Sequence, residues 1–329
     1  MMKGFSSITA KYLSVIAATA LFFGAFIIGS VLYRGFFSLQ TFLNLFIDKS
    51  FLLVSATGMS LVILSGGIDL SVGSVLALTT MIISSLTESA GFHPAAAVLA
   101  GLGAGSLIGL CMGLIIAYWN VPPFIATLAG MFFARGACYL ISVQSISIRN
   151  EALRSLALWK FRFGGAGFIS CNVIIALIIM LGGIYLSLHT KFGRNIYALG
   201  GSETSALLMG IPIKRTKVLI YTLNGFCSAV SGVVFSLYML SGYGLHCQGM
   251  EMDVIAAVVI GGTLLSGGTG YVFGSIFGVL TLGIIQSLIM FDGTINSWWT
   301  KITVGLLLLI FIALQRFIVA VGARPLRQP

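Results

Sequence analysis

Long apolar runs, separated by short polar intervals, dominate the pattern of hydrophobic and polar positions along the chain. A helix that crosses a membrane needs roughly 20 mainly apolar residues. Eight runs have about that length: 12–32, 70–87, 95–119, 123–142, 168–188, 218–240, 271–291 and a final run that ends near residue 321. The runs are continuous rather than alternating, which favours helices over a β-barrel. The pattern therefore predicts an all-α polytopic membrane protein in which residues 1–329 form a single transmembrane domain.

Two further apolar runs, 51–64 and 254–265, have only 14 and 12 residues, which is too short for a full crossing. Each leads into a glycine-rich stretch with nearly the same spelling: LSGGIDLSVGS at 64–74 and LSGGTGYVFGS at 265–275. Broken helices are tolerated at membrane depth where they line a cavity or are buried in protein. We therefore expect about ten transmembrane helices, including short or broken ones. The candidate cavity-lining residues at the two glycine breaks are Gly66, Gly67, Gly267 and Gly268.

Two ionisable side chains, Asp69 and Arg135, fall within otherwise apolar surroundings. Such groups usually face a cavity or a partner group, because exposing them to lipid is costly. Asp69 and the nearby Ser71 are therefore candidates for the cavity wall; alternatively, Asp69 caps a helix that begins near Leu70, with Ser71 assisting. For Arg135 the alternative is a side chain that extends to the lipid headgroups. The sequence leaves open whether Asp69 and Arg135 form a salt bridge.

One apolar run carries Gly101, Gly105, Gly109 and Gly113 at intervals of four residues. This spacing places the four glycines on one face of a helix. Small residues on one face let two helix backbones approach closely, so we interpret this stripe as a packing surface.

Composition supports the membrane class: 58% of the residues are hydrophobic, 8% are charged, and the mean hydropathy is +1.08. A soluble domain carries about 25% charged residues. The net charge of +10 is attributed to basic loops that orient the protein in the membrane, rather than to nucleic-acid binding. Five cysteines, an odd number, do not indicate a disulfide framework.

Nothing in the sequence indicates an enzyme. His93, His189 and His246 are each isolated, so they provide no paired metal ligands. The chain also lacks a G-x-S-x-G nucleophile motif. We therefore expect no catalytic residues, no metal and no cofactor.

The basic residues predict the orientation of the chain, because lysine and arginine are enriched on the cytoplasmic side of a membrane. With both termini in the cytoplasm, ten of these residues lie inside and seven outside, and five of the ten are in the loop 190–217. Five others lie near the two ends of the chain: Lys3, Lys11, Arg316, Arg324 and Arg327. Residues 143–167 then form an outer polar loop, and residues 33–50 form a short interfacial helix on the outer side.

The basic loop contains signals for a short helix between residues 201 and 212. Ser202 is a good N-cap, and Glu203 stands in the first turn, where the helix dipole favours an acid. Gly210 and Pro212 end the helix after about two turns. It exposes four apolar residues: Ala206, Leu207, Leu208 and Met209. Such a patch indicates a surface for a partner protein; the alternative is a helix that lies on the headgroups or packs beneath the membrane helices.

The stretch GGSETSALLMGI, 200–211, resembles the EAA-like coupling loop of ABC importer permeases. Glu203 and Gly210 match its acid and glycine, seven residues apart, whereas Thr204 and Ser205 replace the usual two alanines. Four other blocks occur in the order seen in monosaccharide-type permeases such as that for ribose: LSGGIDLSVGS, VPPFIATLAGMFFARG, TKFGRNIYALGG and DVIAAVVIGGTLLSGG. The block FDGTINSWWTKITVGLLLLIFIALQR, 291–316, is closer to a galactofuranose permease subunit.

This resemblance implies the ABC importer permease fold and a multi-pass subunit of the bacterial inner membrane. It implies that a monosaccharide, galactofuranose or otherwise ribose or another pentose or hexose, is translocated by alternating access. Its partners would be two copies of an ATP-binding subunit, a second permease that is similar or different, and a periplasmic sugar-binding protein. ATP hydrolysis would take place on a separate chain, and this sequence contains no phosphate-binding G-x-x-x-x-G-K-[ST] loop.

The resemblance also implies roles for the residues already singled out. Glu203, Ala206, Leu207, Leu208 and Gly210 would couple the chain to the ATPase. The glycine breaks, with Asp69, Ser71 and Arg135, would line the translocation pathway. Two other classes stay open: a secondary transporter of a small polar solute in which Asp69 carries the coupling ion, and a structural or signalling subunit without transport.

Overall fold

Helices make up most of the chain in the computed structural model, which describes the backbone of residues 2–163, 167–293 and 298–322. Side chains are described within 15–162, 167–293 and 298–313. The long helices are α1 (Met2–Leu32), α2 (Leu39–Leu64), α4 (Pro94–Tyr118), α5 (Pro123–Ile141), α7 (Cys171–His189), α10 (Ile213–Met239), α12 (Gly274–Asp292) and α13 (Trp298–Gly322). Helix α3 (Val72–Ser84) continues into a π-helical turn, Ser85–Ser89. The shorter helices are α6 (Glu151–Leu158), α8 (Lys191–Gly201), α9 (Glu203–Leu208) and α11 (Met250–Ile260).

Strands are few and short in the described part of the chain. β1 (Ile146–Ser147) pairs antiparallel with β4 (Ser241–Gly242). β2 (Lys160–Phe163) pairs antiparallel with β3 (Gly167–Ser170), with Lys160 opposite Ser170. Three of the four strands belong to the polar interval between α5 and α7, so they close one end of a helical bundle. The predicted all-α fold is confirmed.

Eight helices in the described residues are long and apolar enough to cross a membrane. They are α1, α2, α3 with its π-helical turn, α4, α5, α7, α10 and α12. Helix α13 adds a further apolar helix. Residues 241–260 make a broken pass, in which an irregular segment precedes the 11-residue α11. The prediction of about ten passes that include a broken one agrees with this arrangement.

The bundle has two ends, which we name after the short helices that lie there. The α9 face holds α8, α9 and the connections 65–71, 119–122 and 261–273. The α6 face holds α6 and the connections 33–38, 90–93 and 142–150. Glu88, in the π-helical turn after α3, accepts hydrogen bonds from the backbone N–H groups of Arg149 and Asn150 on this face, at 2.8 and 2.9 Å.

The centre of the bundle is α10, which packs against α4, α2 and α3. The predicted glycine stripe of α4 makes the closest of these approaches. A methyl group at Gly109 would overlap the Tyr221 carbonyl of α10, and one at Gly105 would meet Ala229 at 2.6 Å. The interpretation of the stripe as a packing surface is therefore confirmed.

The prediction for residues 33–64 is wrong. Residues 39–64 form one continuous 26-residue helix instead of an interfacial helix followed by a short run of 14 residues. Asp48 and Lys49, which suggested the boundary, are accommodated inside α2 because both have partners on other helices. Asp48 accepts a hydrogen bond from the Tyr238 hydroxyl, and Lys49 donates one to Gln286.

The basic loop also differs from the prediction. Helix α10 begins at Ile213 rather than at Val218, so Lys214, Arg215 and Lys217 lie in its first two turns. Proline at position 212 is compatible with this start, because its missing N–H group would be unpaired there in any case. The basic residues near the two ends, Lys3, Lys11, Arg316, Arg324 and Arg327, lie outside the described side chains.

Candidate functional site

The two glycine breaks contact each other at the α9 face. The backbone N–H of Gly268 donates a hydrogen bond to the Leu64 carbonyl at 2.8 Å. Gly267 has a φ of +82°, and a methyl group there would lie 2.6 Å from the Gly66 backbone nitrogen. The repeated glycines therefore allow the two backbones to approach each other more closely than side chains would permit. Gly67 and Gly267 are buried, whereas Gly66 is exposed.

The end of α8 packs into the same contact. A methyl group at Gly200 would overlap both the Leu64 carbonyl and the Gly268 nitrogen, and one at Gly268 would lie 2.7 Å from the Gly201 nitrogen. We call these three paired segments, 66–67, 200–201 and 267–268, the glycine junction. Close backbone approach is what glycine permits and larger residues prevent. Since only the N-cap Ser202 separates Gly201 from α9, the junction connects both breaks to that helix.

Tyr197 of α8 forms a hydrogen bond with the second glycine break. Its hydroxyl donates a hydrogen bond to the Gly270 carbonyl at 2.9 Å. Burial raises the pKa of Tyr197 to about 12, since removal from water disfavours the phenolate. The hydroxyl therefore keeps the proton that it donates throughout the neutral pH range.

Asp69 is fully buried in the first break and holds three hydrogen bonds. One carboxylate oxygen accepts from the Ser71 backbone N–H at 2.7 Å and from the Ser71 hydroxyl at 2.6 Å. The other accepts from the Asn224 amide of α10 at 2.8 Å. Helix α3 begins at Val72, and its N-cap Ser71 makes no side-chain cap bond. Asp69 is thus not the helix cap that the sequence suggested as an alternative; it joins the break to α10.

Arg135 contacts a different part of the protein from Asp69. Its guanidinium donates hydrogen bonds to the carbonyls of Gly244 and His246, the latter at 2.9 Å. These carbonyls belong to the irregular segment that precedes α11. Within the described side chains, Asp69 and Arg135 form no ion pair, because each is engaged by different partners.

The predicted short helix is present as α9, Glu203–Leu208. The Ser202 hydroxyl caps it by accepting from the Ser205 backbone N–H at 3.2 Å, and Gly210 follows with a φ of +74°. Glu203 forms an ion pair with Lys217 of α10 at 2.6 Å. The predicted exposure is confirmed for Leu208, which is 88% exposed, but it is wrong for Ala206, which is buried because it packs against the bundle.

A groove beside α9 extends the exposed surface. It has a volume of about 480 Å³ and lies between α9 and the adjoining ends of α4 and α10. Its walls include Ala117, Asn120, Leu207 and Lys214. Leu207 and Met209 are also largely exposed. The apolar face of α9 thus has no covering element among the described residues, which distinguishes it from a helix packed beneath the bundle.

Sequence reasoning missed a second polar group, in the half of the bundle nearest the α6 face. Asp48 and Lys49 of α2 meet Tyr238 of α10 and Gln286 of α12 there. The sequence predicts an interfacial position for the two charged residues because they interrupt an apolar run. Their position along α2 could have identified them. If the helix is counted from Leu39, Asp48 and Lys49 lie about 15 Å along it, inside a membrane-crossing helix rather than at its end.

Comparison with known proteins decides the class of this chain. A family described as the permease component of branched-chain amino acid transport systems matches residues 41–312. The chain belongs to this family. The matched region of the permease family runs from the first turn of α2 into α13, so it includes the glycine junction, α9 and the Asp69 link.

Individual members resemble the chain over most of its length. The inner membrane ABC transporter permease protein YjfF of Escherichia coli is 46% identical over 89% of this chain and 90% of its own. The fructose import permease protein FruG of Bifidobacterium longum is 37% identical over 97% and 95%. The ribose import permease protein RbsC of Bacillus subtilis is 36% identical over 90% and 91%. No solved structure matches the chain. As a member of the permease family, the chain is an ABC transport subunit rather than an enzyme.

Proposed function

We propose that this chain is the membrane permease of an ATP-driven monosaccharide importer of the bacterial inner membrane. The observation that carries the proposal is the similarity, at 36–37% identity over nine tenths or more of the chain, to permeases named for ribose and fructose import. Membership of an ABC permease family argues against the secondary, ion-coupled transporter. The placement of Asp69 also argues against it, because both of its carboxylate oxygens are occupied by fixed donors.

Galactofuranose is the sugar that we propose. The block 291–316 supports it, since this part of the sequence resembles a galactofuranose permease subunit more than the ribose one. Residues 294–297 and the side chains of 314–316 lie outside the described part of the chain.

We propose that α9 is the docking element for the ATP-binding subunit, with the α9 face and both termini in the cytoplasm. A helix of six residues is unstable alone, and here it is held by the Ser202 cap and the ion pair between Glu203 and Lys217. Its exposed leucines and the adjoining groove offer an apolar surface of the kind that marks a protein interface. Two ATPase copies, a second permease and a periplasmic sugar-binding protein complete the proposed importer.

We infer that alternating access uses the connection between α9 and the glycine breaks. When the ATPase dimer closes, it displaces α9, and α8 transmits the displacement to the junction at 200–201. The two breaks then move together, because each contacts Gly200. The translocation pathway would be lined by Gly66, Gly67, Gly267, Gly268, Asp69, Ser71 and Arg135, as predicted from the sequence.

Reconstitution of the complex in proteoliposomes tests the proposal. ATP-dependent uptake and ATP hydrolysis are measured with binding protein loaded with galactose, which supplies the furanose form in solution, or with ribose or fructose. We expect stimulation by galactose and none without sugar; stimulation by ribose or fructose alone would contradict the choice of galactofuranose. Uptake that is abolished by a protonophore and does not depend on ATP would instead favour a secondary transporter.

Two variants test the coupling role of α9. Glu203→Ala removes the ion pair, and Gly210→Ala strains the left-handed end of the helix at φ +74°. We expect both variants to reach the membrane and hydrolyse ATP in the complex with little uptake. Normal uptake in both variants would contradict the coupling role.

A further inference from the structure

A cavity of about 260 Å³ lies between α2, α10 and α12, in the half of the bundle nearest the α6 face. Its walls combine charged, amide and aromatic side chains: Asp48, Lys49, Phe51, Phe235, Tyr238 and Gln286. Small-molecule sites in proteins have volumes of roughly 300–1,000 Å³. This cavity falls just below that range, which suits a ligand of one sugar ring and excludes larger oligosaccharides.

The polar groups in the wall can both donate and accept hydrogen bonds. The Tyr238 hydroxyl donates to Asp48 at 3.2 Å, and the Lys49 ammonium donates to the Gln286 side-chain carbonyl. Each pair keeps unused capacity: the Asp48 carboxylate has a second oxygen, and the Gln286 amide has two N–H donors. A ligand with several hydroxyl groups matches such a mixture.

Aromatic rings form the apolar part of the wall. Phe51 and Phe235 meet edge to face, with ring centroids 4.9 Å apart, and the Tyr238 ring lies 6.3 Å from each of them. Aromatic side chains present large apolar faces, and tyrosine adds a polar tip. The C–H face of a sugar ring packs on such a surface while its hydroxyls reach the polar side.

The charges in the wall balance. Its two charged residues, Asp48 and Lys49, are neighbours of opposite sign. The cavity therefore carries no excess charge that would select an anion or a cation. Asp48 and Lys49 lie about 15 Å along a transmembrane helix. Charged side chains at that depth indicate a surface in contact with water, because contact with lipid would be costly.

We propose that this cavity is a transit site for one neutral monosaccharide, occupied after the sugar enters from the α6 face and before it reaches the glycine junction. The proposal rests on the function proposed above, and it adds residues outside the set predicted from the sequence. Asp48, Tyr238 and Gln286 bind the hydroxyls, and Phe51 and Phe235 pack against the ring.

The test uses the complete importer in proteoliposomes, with uptake of radiolabelled galactose, ribose and fructose measured together with ATP hydrolysis. Gln286→Ala should lower the sugar transported per ATP about ten-fold, the effect of losing roughly one good hydrogen bond to the ligand. Asn44→Ala is the matched control, because it removes an exposed amide of α2 outside the cavity. This control should keep the wild-type ratio.

A cysteine variant decides the question if Gln286→Ala does not fold. Ser287 lines the cavity, so a membrane-impermeant thiol reagent should block uptake in Ser287→Cys, and transported sugar should slow the labelling. The same reagent should leave uptake by Asn44→Cys unchanged.

Two results would overturn the transit site while leaving the importer function intact. The first is a pair of observations. Gln286→Ala transports as much sugar per ATP hydrolysed as the wild type, and Ser287→Cys still takes up sugar after the thiol reagent has labelled it. The other is loss of the second permease from the purified Gln286→Ala complex, because the cavity wall would then be an assembly surface. Absence of ATP-driven uptake by the wild-type complex would contradict the proposed function itself.

Discussion

The backbone N–H of Gly268 donates a hydrogen bond to the carbonyl of Leu64 at 2.8 Å. These residues belong to the two copies of the LSGG spelling, the first at the end of α2 and the second in the connection between α11 and α12. The second copy has no counterpart to Asp69, so what the copies share is a backbone shape rather than a chemical group. Their contact places the start of the coupling segment, 200–201, against both breaks.

Gly200→Ala should disrupt the glycine junction. Its methyl group would overlap the Leu64 carbonyl and the Gly268 nitrogen, and overpacking of this kind costs about 1–3 kcal/mol. We expect a lower melting temperature of the purified chain and a loss of ATP-driven uptake.

Gly201→Ala is a matched control for this prediction. A methyl group there has no atom within 4 Å, so stability and uptake should equal those of the wild type. Equal behaviour of the two variants would show that the close approach at Gly200 is unimportant.

Asp69→Ala and Asp69→Asn should differ sharply. The alanine variant leaves the Ser71 and Asn224 donors buried without an acceptor, which costs about 1–3 kcal/mol for each unpaired group. The asparagine variant keeps an acceptor for Ser71. Its new N–H group can pair with the Asn224 side-chain oxygen, which is buried without a partner, if that amide rotates.

Thermal unfolding and uptake together check the Asp69 prediction. We expect the melting temperature to fall strongly for Asp69→Ala and little for Asp69→Asn, with uptake preserved in Asp69→Asn. Loss of uptake by a stable Asp69→Asn variant would instead assign a role to the charge itself.

Leu208→Ser should weaken binding of the ATP-binding subunit. The side chain is 88% exposed, so its replacement should leave the fold unchanged. A central apolar contact in an interface is worth about 2 kcal/mol or more, so binding should weaken more than about ten-fold. Co-purification and binding kinetics measure this effect.

The control for Leu208 is Leu158→Ser, which changes a leucine of α6 that is 64% exposed at the opposite end of the bundle. It should bind the ATPase normally. If both variants bind normally, the docking role of α9 is wrong.

Arg135→Met should loosen the irregular segment before α11. The methionine fills similar space but removes the donors to the Gly244 and His246 carbonyls. A buried carbonyl without a donor costs about 1–3 kcal/mol, and Gly244 is buried. Hydrogen exchange over residues 240–249 should therefore speed up, whereas Arg154→Met, at an exposed position of α6, should leave it unchanged. Unchanged exchange in Arg135→Met would mean that the segment is held by other contacts.

The sequence by itself determined the features that depend on neighbouring residues. The length of the apolar runs indicated the membrane class, since each crossing helix must satisfy its own backbone hydrogen bonds. The four-residue spacing of Gly105 and Gly109 indicated a packing face. Ser202 and Gly210 marked the ends of α9 because capping and a positive φ are local requirements.

Only the tertiary structure decided which distant residues meet. Asp48 and Lys49 suggested the end of a helix, yet α2 continues through them because Tyr238 and Gln286 lie 190 and 237 positions away in sequence but adjacent in the bundle. Asp69 likewise has its partner Asn224 155 positions away. Such pairs depend on how the helices pack around α10, and no local pattern of apolar and polar residues records that packing.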